Sequence, residues 1–246
     1  MSLDGLSFSA LVAELSAKLV GGRVEKIFQP DKYTLLLWIR QVHETHKLLI
    51  SATPSHPHLF ISSLPPENPS TPPSFCMLLR KHLEDGRVAS VEQHDLDRIV
   101  TVDIDVRGEK GLIVTKRLII ELMGKHSNII FVQDSIIVDA IKRVPFSISR
   151  YRQILPGKMY TLPPGQGRLN LLNTSPEIFI QTLFSSSQPL LLKALIATSM
   201  GMGPIPGKEI LWRAGLPDTI FLAALDENDK KELYSAFVSV IQPFLS

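Results

Sequence analysis

The residues with the clearest potential for chemistry in this chain are two adjacent charged side chains, Asp97 and Arg98. A polar stretch over residues 92–95 precedes them and an apolar run follows, so the pair falls where a strand is predicted to begin. Two interpretations stay open from the residues alone. The pair is either an ordinary surface ion pair, which contributes little to stability, or part of a binding site.

A second candidate is the segment 124–128, Gly-Lys-His-Ser-Asn, which interrupts two strongly apolar runs. Glycine and asparagine tolerate positive φ, so a simple turn explains both of them. Lys125 and His126 could also meet a phosphate or a base at such a turn. No second histidine or carboxylate lies at metal-ligand spacing, so no metal site is predicted.

Further basic side chains could follow a nucleic-acid backbone if they come together in space. Arg80 and Lys81 belong to a predicted helix, and Arg143, Arg150 and Arg152 precede a stretch rich in proline and glycine. Each of them alone fits a solvated surface equally well.

The segment 200–207, Met-Gly-Met-Gly-Pro-Ile-Pro-Gly, separates two predicted helices and resembles the turn of a helix-hairpin-helix. In that motif, backbone N–H groups and the start of the next helix hold a phosphate, and Lys208 and Arg213 would add positive charge. A tight turn between packed helices needs the same glycines, and Pro204 and Pro206 remove two possible donors. Both interpretations stay open.

No pattern in the sequence supports catalysis. The chain lacks a phosphate-binding loop that ends in Lys-Ser/Thr, a GxGxxG fingerprint and a GxSxG nucleophile motif. Cys76 is the single cysteine, which excludes an internal disulfide and a cysteine-rich zinc site. It lies in the apolar run 75–79, so a buried structural thiol is predicted. No cofactor and no enzyme active site are predicted.

The elements that must position these residues follow from hydrophobic periodicity. Residues 6–20 have helical spacing and end at Gly21-Gly22, and a second helix is predicted over 74–85, after a proline-rich loop at 63–73. Strand patterns fill the remainder of this half of the chain: 24–28, 33–39, 47–51, 58–62, 87–91, 98–106, 112–122, 128–132 and 136–140. Hairpin turns are predicted at 108–111 and 134–135.

Beyond a linker-like stretch at 154–167 the pattern is helical, with helices predicted over 176–184, 189–198, 208–214 and 229–245. The sequence therefore predicts an α+β fold, with an antiparallel-sheet domain over residues 1–170 and an α-helical domain over 171–246.

Composition sets few limits on the partner. The 246 residues are 44% hydrophobic and 20% charged with a net charge of +2, which permits a nucleic-acid partner without implying one. The N-terminus has no signal-peptide pattern, and no apolar run approaches the roughly 20 residues of a membrane span. A cytoplasmic protein without a membrane partner is expected.

Several blocks spread over the first 164 residues resemble the NFACT-N domain of the ribosome quality control family that includes RqcH and NEMF. Bacterial members are often labelled fibronectin-binding protein A. The blocks are Asp4-Gly5, 21–24, Gln29-Pro30, 75–83, 97–99, 121–130, 152–157, Tyr160 and Pro163-Pro164.

The resemblance implies a fold similar to the N-terminal domain of formamidopyrimidine-DNA glycosylases, followed by a helix-hairpin-helix domain. It also implies binding to a large ribosomal subunit that carries peptidyl-tRNA, recruitment of alanine tRNA, and mRNA-independent addition of alanine to the C-terminus of the stalled chain. An Asp-Arg pair needed for tRNA handling falls on Asp97 and Arg98, with Asp97 expected to orient Arg98 or to accept from a base or ribose hydroxyl. Candidate backbone contacts are Arg80, Lys81, Lys125, His126, Arg150 and Lys208.

The chain departs from these patterns at two points. The glycosylases use an N-terminal proline amine beside a glutamate, where this chain has Ser2 and Leu3, and its single cysteine excludes their zinc finger. Base excision is therefore not expected. Family members also continue into a coiled coil and an NFACT-R domain beyond the point where this chain ends, so a fragment is expected. The alternative function is a surface adhesin that binds fibronectin.

Overall fold

A computed structural model describes residues 3–64, 66–108, 111–164, 167–170 and 174–244. The predicted α+β class is confirmed, with a large antiparallel sheet followed by helices. The elements are α1 (Gly5–Leu19), β1 (Arg23–Asp31), β2 (Thr34–Arg40), β3 (Thr45–Ser51), β4 (His58–Ile61), α2 (Ser74–Leu83), β5 (Arg87–Gln93), β6 (Ile99–Arg107), β7 (Ile113–Glu121), β8 (Asn128–Gln133), β9 (Ile136–Ala140), α3 (Pro176–Phe184), α4 (Leu191–Thr198), α5 (Pro204–Arg213) and α6 (Glu227–Ile241).

Some predicted features lie outside the described residues. They are Ser2, the middle of the predicted turn at 108–111, part of the predicted linker at 154–167, the residues that follow the predicted boundary at 170, and the end of the last predicted helix.

The nine strands form one antiparallel sheet in the order β4-β3-β2-β1-β5-β6-β7-β8-β9. Strands β1 and β5 pair at one register position, Arg23 with Arg87. The sheet therefore consists of a first leaf, β1–β4, and a second leaf, β5–β9, joined at that point. Each leaf follows one helix in the chain, as the sequence predicts.

The two helices cross between the leaves, because α1 packs against β5 and α2 packs against β1. Their apolar faces, which include Phe8 and Leu79, share one buried core with strands of both leaves. Cys76 lies in this core with no exposed surface. Burial raises the pKa of its thiol, and its Sγ contacts the carbonyl oxygen of Ile27 at 3.5 Å. The predicted structural thiol is confirmed.

The outer face of the second leaf is covered by the segment 141–162, which packs on a smaller apolar core that contains Ile119 and Ile130. One buried ion pair attaches this segment. The Arg152 guanidinium donates to both oxygens of Glu121 at 2.8 and 2.6 Å, and the Tyr160 hydroxyl donates to the same carboxylate at 2.8 Å. Because Glu121 is completely buried, its charge depends on both partners.

Helices α3–α6 surround a second core built on Phe179 and Phe237, whose ring centroids lie 4.2 Å apart. Helix α5 begins at Pro204, four residues before the predicted start at Lys208. The prediction was wrong because it assigned both prolines to the preceding turn. Proline is favoured in the first turn of a helix, where its missing N–H group needs no partner.

The helical part packs directly against the sheet domain. Leu6 of α1 and Leu96, from the turn before β6, are buried in the helical core. Among the described residues, no helix is both long and apolar enough to cross a membrane.

Candidate nucleic-acid interface

Asp97 and Arg98 lie in a tight turn, residues 94–98, that joins β5 to β6. The turn is closed by two backbone hydrogen bonds, from His94 N–H to Ile99 O at 2.9 Å and from Asp97 N–H to His94 O at 3.0 Å. Asp95 has a φ of 48°, in the left-handed region that aspartate tolerates better than most residues. The polar stretch before β6 is therefore a defined turn that presents the pair at the start of the strand.

The turn at 94–98 is held in place by Leu96 and by the side chain of Gln93. Leu96, directly before Asp97, is 1% exposed and packs in the helical core. The Gln93 side-chain amide donates to the backbone oxygens of Gly5 at 3.0 Å and of Asp97 at 2.8 Å. These contacts bind the turn to the start of α1, so its position depends on both parts of the molecule.

Asp97 supports the backbone of its neighbour. Its Oδ1 accepts a hydrogen bond from the Arg98 backbone N–H at 2.9 Å. The prediction was that Asp97 orients Arg98 or accepts from a base or ribose hydroxyl, and this bond orients the Arg98 backbone. Asp97 therefore fixes the direction in which the chain enters β6.

Arg98 is half-buried at the edge of an apolar cavity of about 310 Å³. The cavity walls come from α1, β4 and the end of β7, and include Phe8, Phe60 and Leu122. The Arg98 backbone oxygen accepts from Leu122 N–H at 2.9 Å, which fixes this residue against the adjacent strand. Among the described residues of the cavity wall, Arg98 is the only Lys, Arg, Asp or Glu.

Two of the other predicted contacts share this end of the sheet. Lys125 and His126 are exposed in a 3-10 turn, Gly124–His126, that directly follows β7. Strands β6 and β7 are antiparallel with Ile99 opposite Glu121, so the start of β6 and the end of β7 coincide. The structure thus brings Lys125 and His126 to the same end as Arg98.

The arginines before the linker have different roles. Arg152 is bound to Glu121, and Arg143 pairs with Asp139 at 2.9 Å. Arg150 is exposed in the same turn as Arg152. Of these three, Arg150 stays a predicted contact, whereas Arg152 and Arg143 form ion pairs within the chain.

Arg80 and Lys81 lie away from this end of the sheet. The Arg80 Nε donates to the Ile27 carbonyl oxygen at 2.7 Å, and its guanidinium lies 5.4 Å from the Phe28 ring centroid. Lys81 neighbours His82, which contacts Lys116 of β7.

Lys116 is opposite Ile104, five residues along β6 from Ile99, which corresponds to about 17 Å. Lys125 and His126 thus share the end of the sheet with Arg98, whereas Lys81 lies next to the His82–Lys116 contact farther along β6.

The glycine-rich turn between α4 and α5 packs against the start of α1. Gly201 has a φ of 73°, and its carbonyl oxygen accepts from Leu6 N–H at 3.2 Å. A Cβ built on Gly203, the N-cap of α5, would lie 2.5 Å from Oδ2 of Asp4. A carboxylate at this place repels a phosphate, so the geometry favours the packing interpretation of the turn.

Lys208, predicted as a backbone contact from α5, is exposed and pairs with Asp218 at 2.8 Å. The described residues contain no group of three or more His, Cys, Asp or Glu side chains that could hold a metal ion.

Sequence reasoning missed the junction formed by Gly5, Leu96 and Gly201. A Cβ built on Gly5 would lie 1.9 Å from the Leu96 carbonyl oxygen, and one built on Gly201 would lie 2.6 Å from the Leu96 Cβ. One signal was available in the sequence. Asp4 caps α1 and is followed by Gly5 at the first helical position, where the absent side chain permits the close approach of another chain segment.

Comparison with known proteins adds the family context. The family described as NFACT N-terminal and middle domains matches residues 4–246. The Rqc2 homolog RqcH of Bacillus subtilis is 40% identical over 224 residues, which are 90% of this chain and 39% of that protein. The archaeal Rqc2 homolog of Methanocaldococcus jannaschii is 29% identical over 244 residues, 95% of this chain and 34% of that protein. The chain thus spans less than half the length of these relatives.

Solved structures agree on the fold. The N-terminal part of the fibronectin/fibrinogen-binding protein from Streptococcus suis matches with a TM-score of 0.80 and 36% identity, over 96% of this chain and 84% of that one. The N-terminal domain of the fibronectin-binding protein PavA from Streptococcus pneumoniae matches with a TM-score of 0.76 and 38% identity, over 85% of this chain and 82% of that one.

Proposed function

The chain belongs to the NFACT N-terminal family, and from this membership we propose that it supplies the tRNA-binding surface of a ribosome quality control factor. The observation that carries the proposal is the turn at 94–98. It holds Arg98 half-exposed at one end of the sheet, beside the exposed Lys125 and His126. Cations gathered at one end of a rigid sheet are the groups that a folded RNA requires.

The chemistry of the pair suggests how it would meet a nucleotide. A carboxylate repels phosphate, so Asp97 acts on the backbone of Arg98 and can accept from a base amino group or a ribose hydroxyl. The Arg98 guanidinium can donate to a phosphate or to the edge of a base. Lys125, His126 and Arg150 would then neutralise neighbouring phosphates. In this proposal α4 and α5 form a helix-hairpin-helix unit. Its turn packs against Leu96 at Gly201 and so supports the turn at 94–98.

The relatives' names supply the cellular context. They include RqcH of Bacillus subtilis and the human ribosome quality control complex subunit NEMF, which is 28% identical over 139 residues. We extend this role to the present chain. It would act in the cytoplasm on large ribosomal subunits that carry peptidyl-tRNA, with alanine tRNA as the expected partner. The mRNA-independent alanine tailing itself is assigned to a protein of the relatives' full length, and no catalytic group of this chain takes part.

Filter binding of the chain to tRNA tests the proposal. The double variant Asp97→Ala/Arg98→Ala should lose about tenfold to a hundredfold in affinity, because it removes hydrogen bonds between charged groups. Replacing Lys125 by Gln should weaken binding less and lower the salt slope by about one.

A matched control removes one acidic and one basic side chain elsewhere on the surface. Glu14 and Lys18, 2.6 Å apart on α1, can both be changed to Ala with no effect on tRNA affinity. Unfolding in urea should show that both double variants are folded. If the Asp97→Ala/Arg98→Ala variant is folded and binds tRNA as the wild type does, the assignment of the site is refuted.

A second candidate function rests on the two streptococcal structures, whose names describe fibronectin binding. Under this alternative the chain is an adhesin. Including fibronectin in the same filter assay separates the two functions. Binding to fibronectin together with no binding to tRNA would favour the adhesin.

A further inference from the structure

Three basic side chains line one pocket toward the other end of the β6–β7 pair. Lys81 and His82 lie in the last turn of α2, and Lys116 lies on β7. The Lys116 Nζ and the His82 Nδ1 are 2.9 Å apart. All three line an open pocket of about 700 Å³.

The positive charges of Lys81 and Lys116 repel each other, and both disfavour a positive charge on His82. Burial and the neighbouring Lys81 lower the pKa of Lys116. Burial, then Lys116 and Lys81, lower the pKa of His82. Among the described residues no carboxylate offsets either shift. When the Lys116 ammonium donates to Nδ1, the matching His82 tautomer carries its ring N–H on Nε2.

The acidic residues in the pocket wall are already occupied. Their partners are as follows: Asp85 pairs with Arg23 at 2.6 Å, Glu84 accepts from the Ile27 backbone N–H at 3.1 Å, and Asp105 accepts from the Thr115 hydroxyl at 2.6 Å. Arg87 and Arg107 also line the pocket. Five lysine and arginine side chains thus line the pocket against three carboxylates, so the wall keeps an excess of positive charge.

We propose that this pocket is a phosphate-binding site, in which Lys81, Lys116 and the His82 ring N–H donate to the oxygens of one phosphate group. A bound anion would offset the repulsion between the two lysines, because an opposite charge favours the charged form of each base. The group is either a free phosphate or a phosphate of an RNA backbone. The site lies about 17 Å along β6 from the start of the strand, so it does not depend on the proposed tRNA contact at Asp97 and Arg98.

The ring of His82 reports on the site directly. Proton–carbon NMR spectra of the histidine rings are recorded while inorganic phosphate replaces chloride at constant ionic strength. The His82→Gln variant identifies the signal among the seven histidines. In phosphate the His82 signal should shift in a saturable way, and the pKa of its ring should rise.

Variants assign the response to the cluster. Lys116→Gln and Lys81→Gln should each weaken phosphate binding about tenfold, as expected for the loss of a hydrogen bond to a charged group. Lys81 is exposed, so its variant keeps the test valid if Lys116→Gln does not fold. Lys231→Gln, on the exposed side of α6, is the matched control and should bind as the wild type does.

Two further experiments identify the source of the phosphate group and test whether the site depends on Asp97 and Arg98. A single-stranded oligouridine that produces the same His82 shift and competes with phosphate identifies an RNA backbone, whereas a response to inorganic phosphate alone identifies the free ion. The Asp97→Ala/Arg98→Ala variant should keep the full response, whatever its affinity for tRNA. Identical His82 titrations in phosphate and chloride would overturn the proposal, as would equal binding by the Lys81→Gln and Lys231→Gln variants.

Discussion

The junction between the sheet domain and the helices makes a quantitative prediction for Gly201→Ala. Gly201 has a φ of 73°, where a residue with a Cβ costs about 1–2 kcal/mol. The new Cβ would also lie 2.6 Å from the Cβ of Leu96. Leu96 cannot easily move away, because it belongs to the turn before β6 and is buried in the helical core. Crowding of this kind costs about 1–3 kcal/mol. The variant should therefore lose about 2–5 kcal/mol of unfolding free energy.

Gly215→Ala is the matched control. Its φ of 70° is nearly the same, and a Cβ built there meets nothing within 4 Å. This variant should lose only the backbone contribution of about 1–2 kcal/mol. The difference between the two variants isolates the contact at Leu96.

Urea unfolding followed by far-ultraviolet circular dichroism gives both free energies. The comparison requires similar denaturant slopes, so that the change lies in stability rather than in the compactness of either state. Equal losses in Gly201→Ala and Gly215→Ala would refute the reasoning. That result would mean that the helices do not press on the turn at 94–98 in solution.

Two further predictions concern buried and partly buried charges. Arg152→Met should lower the unfolding free energy by about 3–5 kcal/mol, because Glu121 is then buried without its arginine. Arg117→Met, at the more exposed Arg117–Asp103 pair, should lower it by less than about 1 kcal/mol. Urea unfolding of both variants checks this. The pKa of His82 lies below its ordinary value of 6.5 in the folded state, so the unfolded chain binds more protons and stability falls as the pH drops below about 6.5. His82→Gln should show a smaller loss of melting temperature between pH 7.5 and 5.5 than the wild type, and an equal loss would contradict the assigned shift.

Local patterns were sufficient to predict most of the fold. The helix predicted over 6–20 forms as α1, and the alternating strands of both leaves appear close to their predicted bounds. The hydrophobic period of each of these elements is visible in consecutive residues, so it can be read from the sequence. The start of α5 was missed because a local reading cannot separate proline in a turn from proline in a first helical turn.

The candidate site was only partly predictable. The sequence pointed to Asp97 and Arg98 but could not show that Asp97 binds the backbone of Arg98. It also grouped Arg150 with Arg152, although the partner of Arg152 lies 31 residues away at Glu121. Which of two neighbouring arginines is buried depends on contacts that only the folded chain creates.

The crossing of α1 and α2 between the leaves has a consequence for how the sheet domain unfolds. Each helix packs mainly against the first strand of the other half, so opening one half exposes apolar surface of the other. The two halves are also joined directly, because β1 pairs with β5 at Arg23 and Arg87. We therefore expect the two halves to unfold in one cooperative step, and we expect the two pieces to stay associated after a cut in the connection at 63–73.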